Sequence, residues 1–165
     1  MRPTAEIELL DACGSLRPDE LRQLTDLARR AMEQLPNTGS VRVRIVDDRE
    51  MTEAHERYAN APGTTDVLTF DLAADTTGDP THKALDADLI ICHDQAARQA
   101  REHGHEPVRE LLLYIIHGVL HCLGYDDHDE EGFNSMHTRE DQILAAIGVG
   151  TTFFKDPPVT PGAAS

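Results

Sequence analysis

The sequence predicts a single α+β domain with a small mixed β-sheet packed against helices. Its 165 residues match the usual size of one domain, and no repeat, low-complexity tract or internal linker divides them. Along the chain, segments in which apolar residues recur every two residues, as in strands, alternate with segments in which they recur every 3.6 residues, as in helices. The resulting order, β-α-β-α-β-β-α-α-α, favours an α+β fold.

The N-terminal half contains two strands, each followed by a helix. Residues 5–11 (AEIELLD) alternate enough for a strand, and residues 17–35 place apolar side chains at helical spacing. The turn sequence NTGS ends this helix. Residues 41–47 (VRVRIVD) then alternate with period two and predict a half-buried strand, which a helix over 49–59 follows.

The C-terminal half begins with two more strands. Residues 64–72 (TTDVLTFDL) are rich in β-branched and aromatic side chains, and residues 86–93 (DADLIICH) form an apolar strand. A loop rich in Gly, Asp and Thr over 75–82 lies between them.

Three helices complete the predicted domain. The first covers 94–104 and ends at its glycine, and the second, over 107–123, begins with a proline suited to the first helical position. A last amphipathic helix covers 130–148. We expect the domain to span 1–154, with a disordered tail over 155–165.

The composition indicates a soluble protein from a reducing compartment. No apolar run approaches the ~18 residues of a membrane span, and acidic residues interrupt the N-terminal segment, unlike in a secretory signal. Three cysteines without paired spacing suit reduced thiols. We therefore expect a cytoplasmic protein without membrane association.

The charge balance restricts the nucleic-acid hypotheses. The net charge is -15, whereas proteins that bind nucleic acids usually present a basic face. Thirteen of the fifteen basic residues are arginine, which can still gather into a local patch. An RNA-binding function would need such a patch.

The stretch HGVLHCLGYDDH predicts a metal site. His117 and His121 lie four residues apart on one helix face, about 5–6 Å from each other, and can share an ion. Gly124 allows a left-handed turn that folds the chain back. Either Asp127 or His128 can then supply a third ligand. Three protein ligands and an open position are characteristic of catalytic zinc.

One residue in this stretch argues against a peptidase. Metalloproteases of the H-E-x-x-H type use the glutamate after the first histidine as general base, and Gly118 occupies that position here. A different substrate, or a base from another segment, is therefore implied.

The same stretch, with the upstream TDVLTF and LDADLIICHDQAARQA and the following Met136 and Glu140, resembles the YbeY family of bacterial endoribonucleases. The resemblance covers about 41–147. It implies a zincin-like fold, one bound Zn²⁺ ion and cleavage of single-stranded RNA, not DNA. It also implies 3′-end maturation of small-subunit (16S) ribosomal RNA and ribosome quality control, with the ribosome and its assembly factors as partners. It sets no oligomeric state.

The third metal ligand departs from the family pattern. The family's third histidine falls at Asp127, and counting onward without a gap reaches Met136 and Glu140. This register favours Asp127, whose carboxylate is an adequate zinc ligand, over His128.

The phosphate-binding residue departs as well. The family's arginine before the TDVLSF-like segment falls at Ala59, and Arg57 is the nearest substitute. A guanidinium forks around two phosphate oxygens, yet two residues along a helix rotate by about 200°. Arg57 is therefore a candidate catalytic residue that equally fits a solvated helix surface.

The remaining histidines and one glutamate are assigned structural roles. Glu110 lies two turns before His117 and could orient an imidazole or form a surface pair. His137 follows Met136 and could approach the loop from the last helix. The other histidines have no spacing that adds a metal site: His55, His82, His93, His103 and His105.

Three functions are consistent with these observations. The first is a zinc-dependent endoribonuclease in which His117 and His121 are both ligands and catalytic residues. The second is a zinc peptidase or other small-substrate metallohydrolase. The third is a ribosome-assembly factor that binds partners and uses the metal mainly for stability.

Overall fold

The computed structural model describes residues 4–73 and 83–149. These residues form the predicted strands and helices in the predicted order. The strands are β1 (Glu6–Asp11), β2 (Gly39–Val46), β3 (Val67–Asp71) and β4 (Leu85–Cys92). The helices are α1 (Pro18–Glu33), α2 (Asp48–Ala59), α3 (His93–His103), α4 (Pro107–Cys122) and α5 (Glu130–Ala146). The predicted loop over 75–82 and the predicted tail over 155–165 lie outside the described residues.

The strands form a mixed sheet in the order β1-β2-β4-β3. β1, β2 and β4 run parallel, and β3 pairs antiparallel with β4, with Phe70 opposite Asp88. A parallel pair such as β1 and β2 needs a crossover, which α1 supplies. The predicted α+β class with a small mixed sheet is confirmed.

One face of the sheet builds the core with α1 and α4. Alternate strand residues point toward it, and Ile45, Leu89 and Ile91 are at most 1% exposed. Eleven of the sixteen residues of α4 are buried, whereas an ordinary surface helix buries one stripe. Helix α4 therefore lies in the interior, and packing fixes the position of its backbone.

The opposite face of the sheet is polar along its middle rows. Arg42 on β2 donates from Nε to Asp88 and from Nη2 to Asp86, both at 2.6 Å. A smaller apolar cluster joins the end of this face to α2: Val46, Met51 and Cys92. The sheet thus has one core face and one largely polar face.

Helix α5 packs on α4, and its residues Met136, Ile143 and Leu144 are buried. Glu140 on the same helix is also buried, at 1% exposure. A buried carboxylate needs hydrogen-bonding or charged partners, and those of Glu140 lie on α4 and α5. No helix among the described residues has the length and apolar character needed to cross a bilayer.

Candidate functional site

Helix α4 presents both histidines of the predicted metal site near its C-terminal end. The His117 side chain is 27% exposed, and His121, one turn later, is exposed. Residues at this spacing share a helix face. The site is therefore open to solvent although the helix is buried over most of its length.

Gly118 faces the sheet, where a side chain would be in tight contact with its neighbours. A Cβ built on it would lie 3.1 Å from Leu89 Cδ2 and 3.2 Å from Thr69 Cγ2. A glutamate at this position would meet this apolar contact instead of the open site. The packing of α4 on β3 and β4 thus explains why the H-E-x-x-H base has no place here.

The chain reverses just after α4, as its glycine predicts. Gly124 has a φ of 107°, in the left-handed region that strains other residues. The amide of Tyr125 donates to the carbonyl of Leu120 at 3.0 Å, which closes the helix end. Residues 126–128, with both candidates for the third ligand, follow immediately.

Glu140 connects the site to α5. Its Oε2 lies 2.7 Å from Nδ1 of His117, and its Oε1 lies 2.5 Å from Nδ1 of His137. An ionised carboxylate only accepts, so both Nδ1 atoms donate, and in the neutral His117 imidazole the Nε2 lone pair is then available to a metal ion. Metal-binding histidines in proteins commonly have this support.

The surrounding charges act on the pKa of His117. Burial lowers this pKa, but the hydrogen bond and charge of Glu140, with the charges of Asp66 and Asp127, outweigh burial and raise it overall. His117 therefore lies in a negative environment, which also attracts a cation.

The two candidate ligands in the loop after α4 differ in their contacts. The Nδ1 atom of His128 lies 2.7 Å from Asp126 Oδ1, and its side chain is 84% exposed. The amide of His128 donates to the same oxygen at 2.8 Å. Asp127 is exposed, and its carboxylate forms no hydrogen bond or ion pair with the described residues. These contacts leave Asp127 the more available ligand.

Two groups of potential ligands lie close together in the described parts of the chain. Within each group, the donor atoms lie within 4.8 Å of one another. One group consists of Asp126, Asp127 and His128. The other consists of His103, His105 and Glu110. The donor atoms of His117, His121 and Asp127 are not all within this distance. His121 and Asp127 are both exposed, so packing does not fix either side chain. The described residues thus offer metal sites, consistent with a metal cofactor.

Comparison with known protein families identifies the family of this chain. The family model described as Endoribonuclease YbeY matches residues 16–148, which is most of the chain. The chain belongs to the YbeY endoribonuclease family. This membership confirms the resemblance and the predicted enzyme class, a hydrolytic endoribonuclease.

Curated relatives agree with the YbeY family model. The Endoribonuclease YbeY of Acidothermus cellulolyticus is 36% identical over 140 residues, covering 78% of this chain and 83% of the relative. That of Staphylococcus saprophyticus is 36% identical over 148 residues, covering 87% and 96%. The similarity therefore includes most of the length of both YbeY proteins.

A solved structure shares the fold. The solution structure of TM1509 from Thermotoga maritima covers 92% of this chain and 99% of its own, with a TM-score of 0.53. At 21% sequence identity, this likeness concerns the fold alone.

The position that the resemblance predicts to bind RNA phosphate carries no charged side chain in this chain. Ala59 is exposed at the end of α2. The Arg57 guanidinium lies 6.0 Å from the Tyr58 ring centroid and lines a groove with Arg44 and Arg49. None of the four candidate metal ligands lines this groove. The assignment of Arg57 to RNA phosphate stays a prediction.

Two features of this YbeY chain escape the sequence patterns. From the amphipathic pattern alone, Glu140 looks like an ordinary helix glutamate. Only the alignment with the YbeY motif, counted from Asp127, singles it out. Glu110 is buried and contacts His103 and His105, not His117, so it forms neither a surface pair nor a support for that ligand. The spacing H-x-H-x₄-E is the signal that marks this second cluster.

Proposed function

We propose that the chain is a zinc-dependent endoribonuclease that cleaves single-stranded RNA. In this proposal it acts in the cytoplasm, in 3′-end maturation of 16S ribosomal RNA and in ribosome quality control, with the ribosome and its assembly factors as partners. YbeY family membership supports the nuclease class. The hydrogen bond between His117 and the buried Glu140 is the observation that carries the metal chemistry.

The proposed ligands are His117, His121 and Asp127. Two imidazole nitrogens and one carboxylate oxygen are a common donor set for catalytic zinc, and they leave one position open. Asp127 is favoured over His128 because its carboxylate is uncommitted, whereas Asp126 holds the His128 ring. The residues present therefore fit a zinc ion.

The chemistry of the site divides between the ion and the chain. When bound, Zn²⁺ supplies a Lewis acid that polarises a phosphate oxygen and lowers the pKa of water toward about 7. Glu140 holds His117 in one orientation and one tautomer. The exposed positions of His121 and Asp127 leave room for an unpaired strand to approach.

Arg57 is the proposed phosphate contact outside the ligand set. It is exposed, and it shares its groove with Arg44 and Arg49. A guanidinium binds phosphate through two parallel N–H donors. The acidic residues Glu50 and Glu53 line the same groove, so any phosphate contact there is local.

The structure weighs on the two alternative functions. The contact of Gly118 with Leu89 and Thr69 argues against a peptidase with its base at that position. The exposed Ala59 favours the third candidate, a ribosome-assembly factor in which the metal mainly adds stability.

One set of measurements tests the proposal. Zinc content and cleavage of single-stranded RNA and of casein are measured for the parent chain and for His121→Ala, Asp127→Ala and His128→Ala. We expect RNA cleavage without casein cleavage, and loss of cleavage and of the zinc ion bound at this site in His121→Ala and Asp127→Ala. His55→Ala is the matched control, because His55 contacts the Gly63 carbonyl outside the site.

The outcomes separate the candidates. RNA cleavage that survives His121→Ala contradicts the metal-dependent nuclease. A parent that binds zinc without cleaving RNA favours the assembly factor, and casein cleavage favours the peptidase. If His128→Ala loses zinc and Asp127→Ala keeps it, the third ligand is His128.

A further inference from the structure

We propose that His103, His105 and Glu110 form a second metal site, for a divalent transition-metal cation such as Zn²⁺. The three residues surround the turn between α3 and α4. One donor atom from each lies within 4.8 Å of the others. The site is separate from the one proposed for RNA cleavage and does not depend on it.

The distances suit one shared ion. Nδ1 of His103 lies 3.5 Å from Oε2 of Glu110, and Nε2 of His105 is in hydrogen-bond contact with the same oxygen. Ligand atoms at 2.0–2.2 Å from a tetrahedral zinc lie about 3.3–3.6 Å apart. A small movement of the His105 ring, with its shared hydrogen released to solvent, would complete a three-ligand set.

The burial of Glu110 supplies the physical reason for a cation. Its side chain is 3% exposed, and a buried carboxylate is costly unless its charge is compensated. The two imidazoles are hydrogen-bond partners of Glu110, and an imidazole brings an opposite charge only when it is protonated. A divalent cation would compensate the carboxylate while using the imidazoles as ligands.

Access and position distinguish this site from the first. The His103 side chain is 49% exposed, so an ion can enter from solvent. Glu110 precedes His117 by seven residues, which is about 10 Å along the helix. Because His103 ends α3 and Glu110 lies in the first turn of α4, an ion here would fasten the two helices together.

Metal stoichiometry tests the proposal directly. The metal-free full-length chain is titrated with Zn²⁺ alone, and bound metal is measured after gel filtration, together with Tm. We expect two ions on the parent, one on His103→Ala, and one retained on the double variant His117→Ala/His121→Ala. Zn²⁺ should raise the Tm of His103→Ala less than that of the parent.

Two further variants keep the result interpretable. Glu106→Gln removes an exposed acid from the same turn and should still bind two ions, whereas Glu110→Gln should bind one. His103 is half-exposed, so its variant should fold even if Glu110→Gln does not.

Two results would overturn the second site. The first is a His103→Ala variant that binds as much zinc as the parent. The second is a parent with one ion that only His117→Ala/His121→Ala removes. One ion that His103→Ala alone removes would instead support this site and contradict the proposed catalytic one.

Discussion

At the scale of single residues, Glu140 joins two parts of the chain that the sequence keeps apart. It lies 23 residues from His117 and is almost fully buried. Its two oxygens hold two imidazoles at once. The orientation of His117 therefore depends on α5 as much as on its own helix.

Replacing Glu140 with glutamine should weaken zinc binding. The amide retains one acceptor oxygen but loses the charge and cannot accept from both imidazoles. Loss of such a supporting contact typically lowers metal affinity by about 10–100-fold, which a competition titration with a chelator measures. Glu130→Gln, an exposed position at the start of α5, is the control, and equal affinities in the two variants would contradict this role.

Gly118 shows how packing restricts chemistry at a single position. Gly118→Glu should destabilise the fold by about 3–5 kcal/mol, because an uncompensated charge would be buried against Leu89 and Thr69. Urea unfolding measures this change, and casein cleavage should stay absent. Thr138→Glu, on the exposed face of α5, should cost far less; a Gly118→Glu variant as stable as this control would refute the packing argument.

At the scale of elements, the end of α4 determines where the proposed third ligand lies. Gly124→Ala should cost about 1–2 kcal/mol of folding free energy, because φ is positive at this position. It should also weaken zinc binding by shifting residues 126–128. Thermal unfolding and zinc titration measure the two effects.

A second glycine separates strain from function. Gly14 has a φ of 67° and open space around it, far along the chain from the metal ligands. Gly14→Ala should show a similar loss of stability with zinc binding unchanged. If both variants bind zinc like the parent, the turn does not position the ligand.

The helices and strands were predictable because each has a clear hydrophobic period. Helix α4 is an informative case: its two ends were predicted from Pro107 and Gly124, and the structure agrees within one residue. The contact between Glu140 and His117 was not predictable from spacing, because it depends on how α5 crosses α4. The cluster at Glu110 was missed for a similar reason, since burial of a glutamate near a helix start leaves no periodic signal.

At the scale of the whole molecule, many of the arginines are paired with acidic side chains. Six of them pair with nearby carboxylates in the described structure: Arg17, Arg30, Arg42, Arg44, Arg49 and Arg98. With a net charge of -15, the surface as a whole repels RNA. Binding must then rely on a few local contacts and on the ion.

This charge distribution predicts a weak dependence of RNA binding on salt. Two or three phosphate contacts give a slope of about -1.4 to -2 for log K against log salt concentration on single strands. Fluorescence anisotropy with a labelled single strand measures the slope. Arg57→Ala should reduce its magnitude by about 0.7, while Arg101→Ala, exposed on α3, should leave it unchanged. A slope near that of a basic RNA-binding domain would disprove this view of the surface.

The burial of α4 has a consequence for how the enzyme loses activity on heating. The same helix fills the interior of the domain and carries two residues of the proposed reaction centre, so neither part can loosen without the other. On heating, catalysis and native structure should disappear together, without an intermediate that is folded but inactive. The spacing of the two imidazoles is thus maintained by buried apolar side chains that do not contact the substrate.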